Sequence, residues 1–355
     1  MSADIATFYN QTRAARKIIV VDLGFLGDTV HLLPSLFELK RNYPKAELHV
    51  MTTPVGCEVL AMAPWVNRGW PVEMSKQKRT LRQQLQVIRA VRRERFDVGF
   101  NFSAADRTLF MTALTGARWR VAYDGGRPHF WKRALIAHWM MPLTTGDPNY
   151  ERRRQMLASC GLSLAEARFG LDPGKVAREW AGVNVPDKAI HFSICASTHL
   201  KEWPLDRWVS LAKALWRERP GTRIIATASG KERELARLKA FAAALPGGPL
   251  QTFDQLPIPQ LTALLQRCSL HVGGDSGVLH IAFACGIPTV SLFRDYPGVK
   301  GWLPRGKQHV SLMVKCPCAA RRPAPCLQRE TAQCLAELET EPVLQAVLDR
   351  MEHQG

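Results

Sequence analysis

The sequence predicts an α/β protein with two parallel-sheet domains, on three observations. Short β-branched and aliphatic segments alternate with helix-period segments along both halves of the chain. Two of those apolar segments run directly into glycine turns that open a helical pattern, as happens at the carboxyl edge of a parallel sheet. The chain has 355 residues, more than one core of ordinary size organises, so two domains are expected.

In the first half, strands are expected over 18–23, 47–52, 97–102 and 118–122, with helices over 29–42, 80–93 and 107–114. The first strand enters the turn Gly24-Phe25-Leu26-Gly27-Asp28, after which Val30, Leu33, Leu36 and Phe37 recur at helical spacing. This turn lacks the glycine spacing of a dinucleotide fingerprint and contains no Gly-Lys-Ser/Thr phosphate loop, which argues against a nicotinamide or ATP site. Asp28 falls where strand gives way to helix. It reads either as an ordinary N-terminal cap or as a residue on the ligand-binding edge of the sheet. Segments 170–174 and 183–187, rich in Gly, Pro, Asp and Asn, read as a linker region.

In the second half, strands are expected over 189–194, 223–228, 250–253, 270–272 and 289–292, with helices near 205–218, 232–244, 260–268 and 278–285. After its first strand comes a polar loop carrying Thr198 and Lys201, then Pro204 at a helix start, where a missing N–H costs nothing. The run Gly273-Gly274-Asp275-Ser276-Gly277-Val278-Leu279-His280 joins a strand to a helix through a glycine turn. Backbone N–H groups and the partial positive charge of a helix N-terminus there make a seat for a phosphate or diphosphate. A plain cap by Asp275 or Ser276 is the alternative. Near the C-terminus, Leu344, Val347, Leu348 and Met351 recur at helical spacing.

Composition narrows the partners. An apolar fraction of 46% suffices for buried cores, while 48 Lys and Arg against 31 Asp and Glu leave a net charge of +17. Such a surplus implies an anionic partner: nucleic acid, membrane surface or phosphorylated substrate. Eight basic residues lie between Lys76 and Arg95 against the single Glu94, and Leu81, Leu85, Ile88 and Val91 recur among them. This predicts an amphipathic helix with a basic face, either merely solvated or resting on an anionic surface. Arg107, Arg118, Arg120, Arg127, Lys132 and Arg133 extend the basic character. Aromatic residues are not interleaved with these charges as stacking platforms, so a nucleic-acid partner is not expected. No stretch of 18 uncharged apolar residues occurs, and residues 1–16 are polar where a signal peptide needs an apolar core. A cytoplasmic, soluble protein is therefore expected.

Of nine cysteines, Cys316, Cys318, Cys326 and Cys334 crowd the C-terminal region. In a reducing compartment such clustering points to a structural metal rather than disulfides. The spacing can reach a tetrahedral site but is not the two-residue knuckle of ordinary zinc modules, and semi-buried thiols are the alternative. Cys57, Cys160, Cys195, Cys268 and Cys285 stand in apolar contexts suited to packing.

Three separated pieces carry a resemblance. Leu23-Gly24-Phe25-Leu26-Gly27-Asp28 with Leu33-Pro34-Ser35-Leu36, then Lys201-Glu202-Trp203-Pro204 with Trp208, then Gly274-Asp275-Ser276-Gly277 with His280, resemble in order and spacing the motifs of glycosyltransferase family 9, the ADP-heptose heptosyltransferases of lipopolysaccharide core synthesis. The resemblance implies a GT-B fold of two Rossmann-like domains facing a central cleft. It implies an acceptor-binding domain over 1–172, a nucleotide-sugar-binding domain over 187–325, and a helical tail over 326–355 that is a candidate to cross back to the first domain. By the resemblance Asp28 is the general base for the acceptor hydroxyl, and Lys201 contacts the departing diphosphate, so no metal is required for catalysis. Thr198, Asp275, Ser276, Gly277 and His280 form the diphosphate and sugar loops, and Glu232 holds the adenosine ribose.

The implied reaction is inverting transfer of heptose from ADP-heptose to a lipid-anchored, phosphorylated inner-core sugar at the cytoplasmic leaflet of the inner membrane. Gly27, His31, Arg107 and Arg120 are candidates for the acceptor side. Relatives that glycosylate autotransporter proteins bind iron through four cysteines, so zinc or iron is the metal implied at Cys316, Cys318, Cys326 and Cys334. A protein acceptor, or a non-catalytic anion- or RNA-binding role, remains the alternative.

Overall fold

The structure, a computed structural model, describes residues 8–73, 81–103, 105–123, 138–140, 148–316, 326 and 332–353. The chain divides into two compact units, Met1–Asp172 and Pro173–Gly355.

The first unit runs β1 (Lys17–Val21), α1 (Leu26–Asn42), β2 (Glu47–Thr52), α2 (Pro54–Leu60), β3 (Arg68–Pro71), α3 (Leu81–Arg93), β4 (Val98–Asn101), α4 (Asp106–Leu114), β5 (Trp119–Tyr123), β6 (His138–Met140) and α5 (Asn149–Ser159). Its strands form one parallel sheet in the order β3-β2-β1-β4-β5-β6. Ile18, Ile19, Val20 and Val21 are all fully buried because helices cover both faces, which is why β1 reads as a continuous apolar run without alternation. The order reverses between β1 and β4, so the loops leaving them diverge and open a crevice at the carboxyl edge. Asp28 lies on that edge, in the first turn of α1, against which α5 packs.

The second unit begins with α6 (Gly174–Asn184) and continues β7 (Ile190–Ser193), a 3₁₀ turn at His199–Lys201, α7 (Leu205–Glu218), β8 (Ile224–Thr227), α8 (Glu232–Ala243), β9 (Leu250–Phe253), α9 (Ile258–Arg267), β10 (Leu270–Gly274), α10 (Gly277–Ala284), β11 (Thr289–Leu292), β12 (His309–Leu312), α11 (Gln333–Ala336) and α12 (Thr340–Glu352). Its sheet is again parallel, in the order β12-β11-β10-β7-β8-β9, the same winding as the first when counted from β7. Here the reversal falls between β7 and β10. Those two strands carry the Lys201 loop and the Gly274–Ser276 turn.

Between and into the segments 170–174 and 183–187, read as a linker region, the chain folds as α6 on α9, with the Arg267 guanidinium donating to the Val185 carbonyl at 2.9 Å. In the C-terminal tail, α12 packs on α7 and puts Val343, Leu344 and Val347 into the core with Phe192, Trp203, Trp208 and Phe241. Ion pairs Arg207–Glu339 and Arg219–Glu352 tie the tail to the same unit. The reason for this packing is local: the tail's apolar stripe is covered by α7. Among the described residues no helix is long and apolar enough to cross a membrane.

Candidate functional site

In the second unit, β10 ends in Gly273 and Gly274. A methyl on Gly274 would lie 2.8 Å from the Lys201 carbonyl oxygen, so the loop after β7 is pressed against the end of β10. This packing brings Lys201 to Asp275, with Nζ 2.8 Å from Oδ2. Tyr296 donates its hydroxyl to the same Oδ2 at 3.1 Å, and His280 Nε2 stands 3.8 Å from Oδ1. Asp275 is only 5% exposed. Burial alone pushes its carboxyl up, but hydrogen bonding with His280 and the Lys201 charge outweigh that and hold it at about 2. The Tyr296 phenol is raised by its own burial and then by the Asp275 charge, so it remains a donor.

Ser276 is the N-cap of α10, accepting from the Leu279 N–H at 3.4 Å. That leaves the amides of Gly277 and Val278 without intrahelical acceptors, the arrangement that receives an anion. His280, 3% exposed, lies one turn along with its ring 5.4 Å from that of Trp302.

The Lys201 loop is clamped from α8. Arg237 donates to the carbonyls of Ile194, at 2.9 Å, and of Trp203, while Arg233 donates to the Ala196 carbonyl and pairs with Glu202. Glu202 in turn accepts the Ala196 N–H at 3.0 Å, and the fully buried Trp203 donates to the Leu338 carbonyl at 2.8 Å. Thr198 is exposed in this loop, and its carbonyl accepts the Lys201 N–H at 3.1 Å. Glu232 is exposed at the first position of α8, while Glu234 is buried and accepts the Ser229 N–H at 3.1 Å. The two acids are thus separated into one that faces solvent and one that holds the turn.

In the first unit, Asp28 is the third residue of α1. Its Oδ2 accepts the Phe25 N–H at 3.0 Å. Arg153 of α5 reaches it, donating to the Asp28 carbonyl at 2.7 Å and placing Nη2 3.6 Å from Oδ1 and 3.1 Å from Asp22 Oδ2. Gly27 is buried in the turn, and His31 is buried with its ring 5.8 Å from Tyr150. Arg107 is exposed in the first turn of α4, at the carboxyl edge of β4 beside β1, and donates to the Glu73 carbonyl at 3.5 Å. Arg120 lies within β5 in register with Gly99, and its guanidinium turns back to the Ala117 carbonyl at 3.0 Å, towards the opposite end of the strand from that edge. Within the first unit the fold therefore gathers Gly27, Asp28 and His31 with Arg153 and Asp22, while Arg120 points away.

Cys316, Cys326 and Cys334 are buried, and Cys318 lies outside the described residues. Burial raises the Cys334 thiol, which hydrogen-bonds with Cys316; the Cys316 N–H donates to Asp295 at 3.0 Å, and Arg294 faces the Cys326 sulfur at 3.7 Å. Among the described residues, which leave out Cys318, no group of three or more His, Cys, Asp or Glu gathers to hold a metal ion. Cys160, Cys195 and Cys268 are packing residues whose thiols burial pushes up to about 12.

Several site residues escaped the sequence reading. Arg233 and Arg237 are spaced i, i+4 after Glu232 on α8, a visible signal for one shared face. Arg153 and Tyr296 had no signal, since their partners lie 125 and 21 residues away in sequence.

The sequence profile of glycosyltransferase family 9 (heptosyltransferase) matches residues 84–332. The chain is 27% identical over 332 residues to lipopolysaccharide heptosyltransferase 1 of Pseudomonas aeruginosa, covering 88% of this chain and 86% of that protein. Among solved structures, a family 9 glycosyltransferase from Veillonella parvula superposes with a TM-score of 0.80 at 18% identity, covering 95% of this chain and 98% of that one. The E. coli heptosyltransferase WaaC with ADP-2-deoxy-2-fluoro heptose gives 0.73 at 16% identity, covering 96% and 100%. Two parallel sheets of Rossmann winding, a helix N-terminus backed by Asp275 and Lys201, and these likenesses agree: the chain belongs to glycosyltransferase family 9 and is a transferase with the GT-B fold.

Proposed function

We propose that this enzyme transfers heptose from ADP-heptose to a phosphorylated sugar of the lipopolysaccharide inner core, with inversion at the anomeric carbon. The observation that carries this reading is the Lys201–Asp275 pair at the N-terminus of α10, in a chain 27% identical to a lipopolysaccharide heptosyltransferase. The amides of Gly277 and Val278 and the Lys201 ammonium receive the diphosphate. Asp275 and His280 take hydroxyls of the sugar, Thr198 lines the loop, and Glu232 holds the ribose hydroxyls. Asp28 acts from the first domain, which takes the acceptor, while the second takes the nucleotide sugar.

The acceptor hydroxyl oxygen attacks the anomeric carbon from the face opposite the diphosphate. As the new C–O bond forms, the bond to the β-phosphate oxygen breaks, its electron pair leaves with ADP, and the hydroxyl proton passes to the Asp28 carboxylate. Lys201 and the helix N-terminus stabilise the charge that grows on the leaving group, a role in which fixed donors exceed what water supplies. This assigns no step to a metal ion.

The anionic acceptor and the inner leaflet account for the basic first half. Arg107, exposed beside the β1–β4 crevice, is the candidate for an acceptor phosphate; Arg120 enters only if its side chain swings round. Exposed Arg89, Arg92 and Arg93 on α3, with Leu85 50% exposed there and Phe110 50% exposed on α4, suit contact with an anionic bilayer. Incubation with ADP-heptose and a graded series of core acceptors tests the reading. Stoichiometric ADP release with a heptose mass gain on the sugar acceptor is expected. A gain on protein alone, or no gain on any acceptor, overturns it.

A further inference from the structure

We propose that Arg153, itself held by Asp22, is the positioning residue of the general base, setting both the orientation and the basicity of Asp28. The inference rests on the assignment of Asp28 as base. Its ground is a three-membered charge relay at the carboxyl end of β1 that no motif of the chain announces.

Arg153 makes three contacts from one guanidinium. Nη1 donates to the Asp28 backbone carbonyl at 2.7 Å, and Nη2 lies 3.1 Å from Asp22 Oδ2 and 3.6 Å from Asp28 Oδ1. Asp22 is 4% exposed in its side chain and spends its other oxygen on the Gly24 N–H at 2.9 Å, so it cannot rotate away. Arg153 is 13% exposed, so its pairing is only partly screened. Gly24 completes the packing: a methyl there would lie 2.3 Å from Asp28 Cβ and 2.9 Å from Asp22 Oδ1. The Asp28 carboxylate is thus fixed by the Phe25 N–H on one oxygen and faced by a cation on the other.

A guanidinium beside a base favours its charged form and so weakens it as a proton acceptor. Asp22 offsets this. Its charge on the same guanidinium leaves the trio of two carboxylates and one cation at a net charge of −1, and returns part of the basicity that Arg153 alone would remove. Among the described residues, the charged groups that reach Asp28 directly or through its partner include Arg153 of α5 and Asp22 after β1. His31 of α1 itself stands ring to ring with Tyr150 of α5, Glu58 of α2 is exposed, and Arg154 of α5 is engaged by Glu38 and Glu151.

The two partners therefore pull the base in opposite directions, which a merely structural clamp would not do. The test is the acid limb of kcat/KM for ADP release from ADP-heptose with an active core acceptor. Asp22→Asn, which keeps the Gly24 turn, is expected to move the limb down by about one pH unit, and Arg153→Met to move it up by about one unit. Arg153→Lys is expected to leave it near the wild-type position. If Arg153→Met does not fold, the contrast between Asp22→Asn and Arg153→Lys carries the same test. Folded variants whose limbs coincide with wild type, or shift in the same direction, overturn the proposal. Asp28→Asn separates the two claims: full activity in that variant removes the base itself, whereas an inactive Asp28→Asn beside unshifted Asp22 and Arg153 variants removes only the relay.

Discussion

At the scale of single residues, the second unit depends on a contact between backbones. Gly274 lets the end of β10 lie against the Lys201 carbonyl, and any side chain there must push one of the two loops aside. Gly274→Ala is expected to lower kcat/KM on the order of 100-fold, the penalty of a misplacement near 1 Å, with only a modest loss in thermal stability. Lys201→Ala removes the cation instead of displacing it and should cost about 10²- to 10³-fold in kcat. Steady-state ADP release with thermal melting distinguishes the two, because Gly274→Ala also loosens the loop whereas Lys201→Ala leaves the Arg233–Glu202 and Arg237 clamps in place. Retention of wild-type turnover in Lys201→Ala would exclude it from the leaving-group side.

At the scale of elements, β7 and β10 are joined beneath the site by two histidines. His191 and His271 are paired in register, their Nδ1 atoms 2.9 Å apart and their rings stacked, with His191 Nε2 3.0 Å from the Thr227 hydroxyl. Burial holds His191 at about 3 and His271 well below its ordinary value, so both are neutral in the fold. The unfolded chain takes up protons below about pH 6.5 that the fold refuses. Their contribution to stability is complete above that pH and declines as pH falls, for His191 down to about 3, by about 1.4 kcal/mol per unit for each histidine that stays neutral. Melting of the protein between pH 6.5 and 5 should show a steep decline, well above the range in which Asp275 titrates. A flat profile there counts against this pair as the seam between the strands.

The elements also show which signals the sequence carries. Interior strands such as β1, β7 and β10 are buried on both faces and read plainly as apolar runs. The unforeseen strands β3, β6 and β12 are all sheet edges, short and interrupted by Arg68, Pro71 or His residues, because an edge needs little apolar surface. Helix α5 was hidden for another reason: its Arg-rich sequence buries Arg154 against Glu38, so the charge pattern conceals an inward face. Helix α2 is short and starts at Pro54 behind the Thr53 cap, which reads as a loop.

At the scale of the whole molecule, the charge of +17 is uneven, and α3 presents Arg89, Arg92 and Arg93 to solvent. If that face meets an anionic leaflet, each arginine adds about 1 kcal/mol, so Arg89→Glu/Arg92→Glu/Arg93→Glu should weaken binding to anionic vesicles on the order of 100-fold or more. Co-sedimentation with anionic and neutral vesicles at low and high salt measures this. Equal binding to both vesicle types refutes the electrostatic contact.

The amino-acid sequence by itself determined the alternation of strand and helix, the two glycine turns, the family motifs and the charge surplus, because each of these is written in neighbours a few residues apart. It could name Asp28, Lys201 and Asp275 without saying what holds them. Only the tertiary structure decided that Arg153 reaches Asp22 and Asp28, that Tyr296 and Lys201 share Asp275, and that α12 closes the second core. Ion pairs and packing faces depend on distances between segments far apart in the chain, and those distances exist only once the sheets have wound.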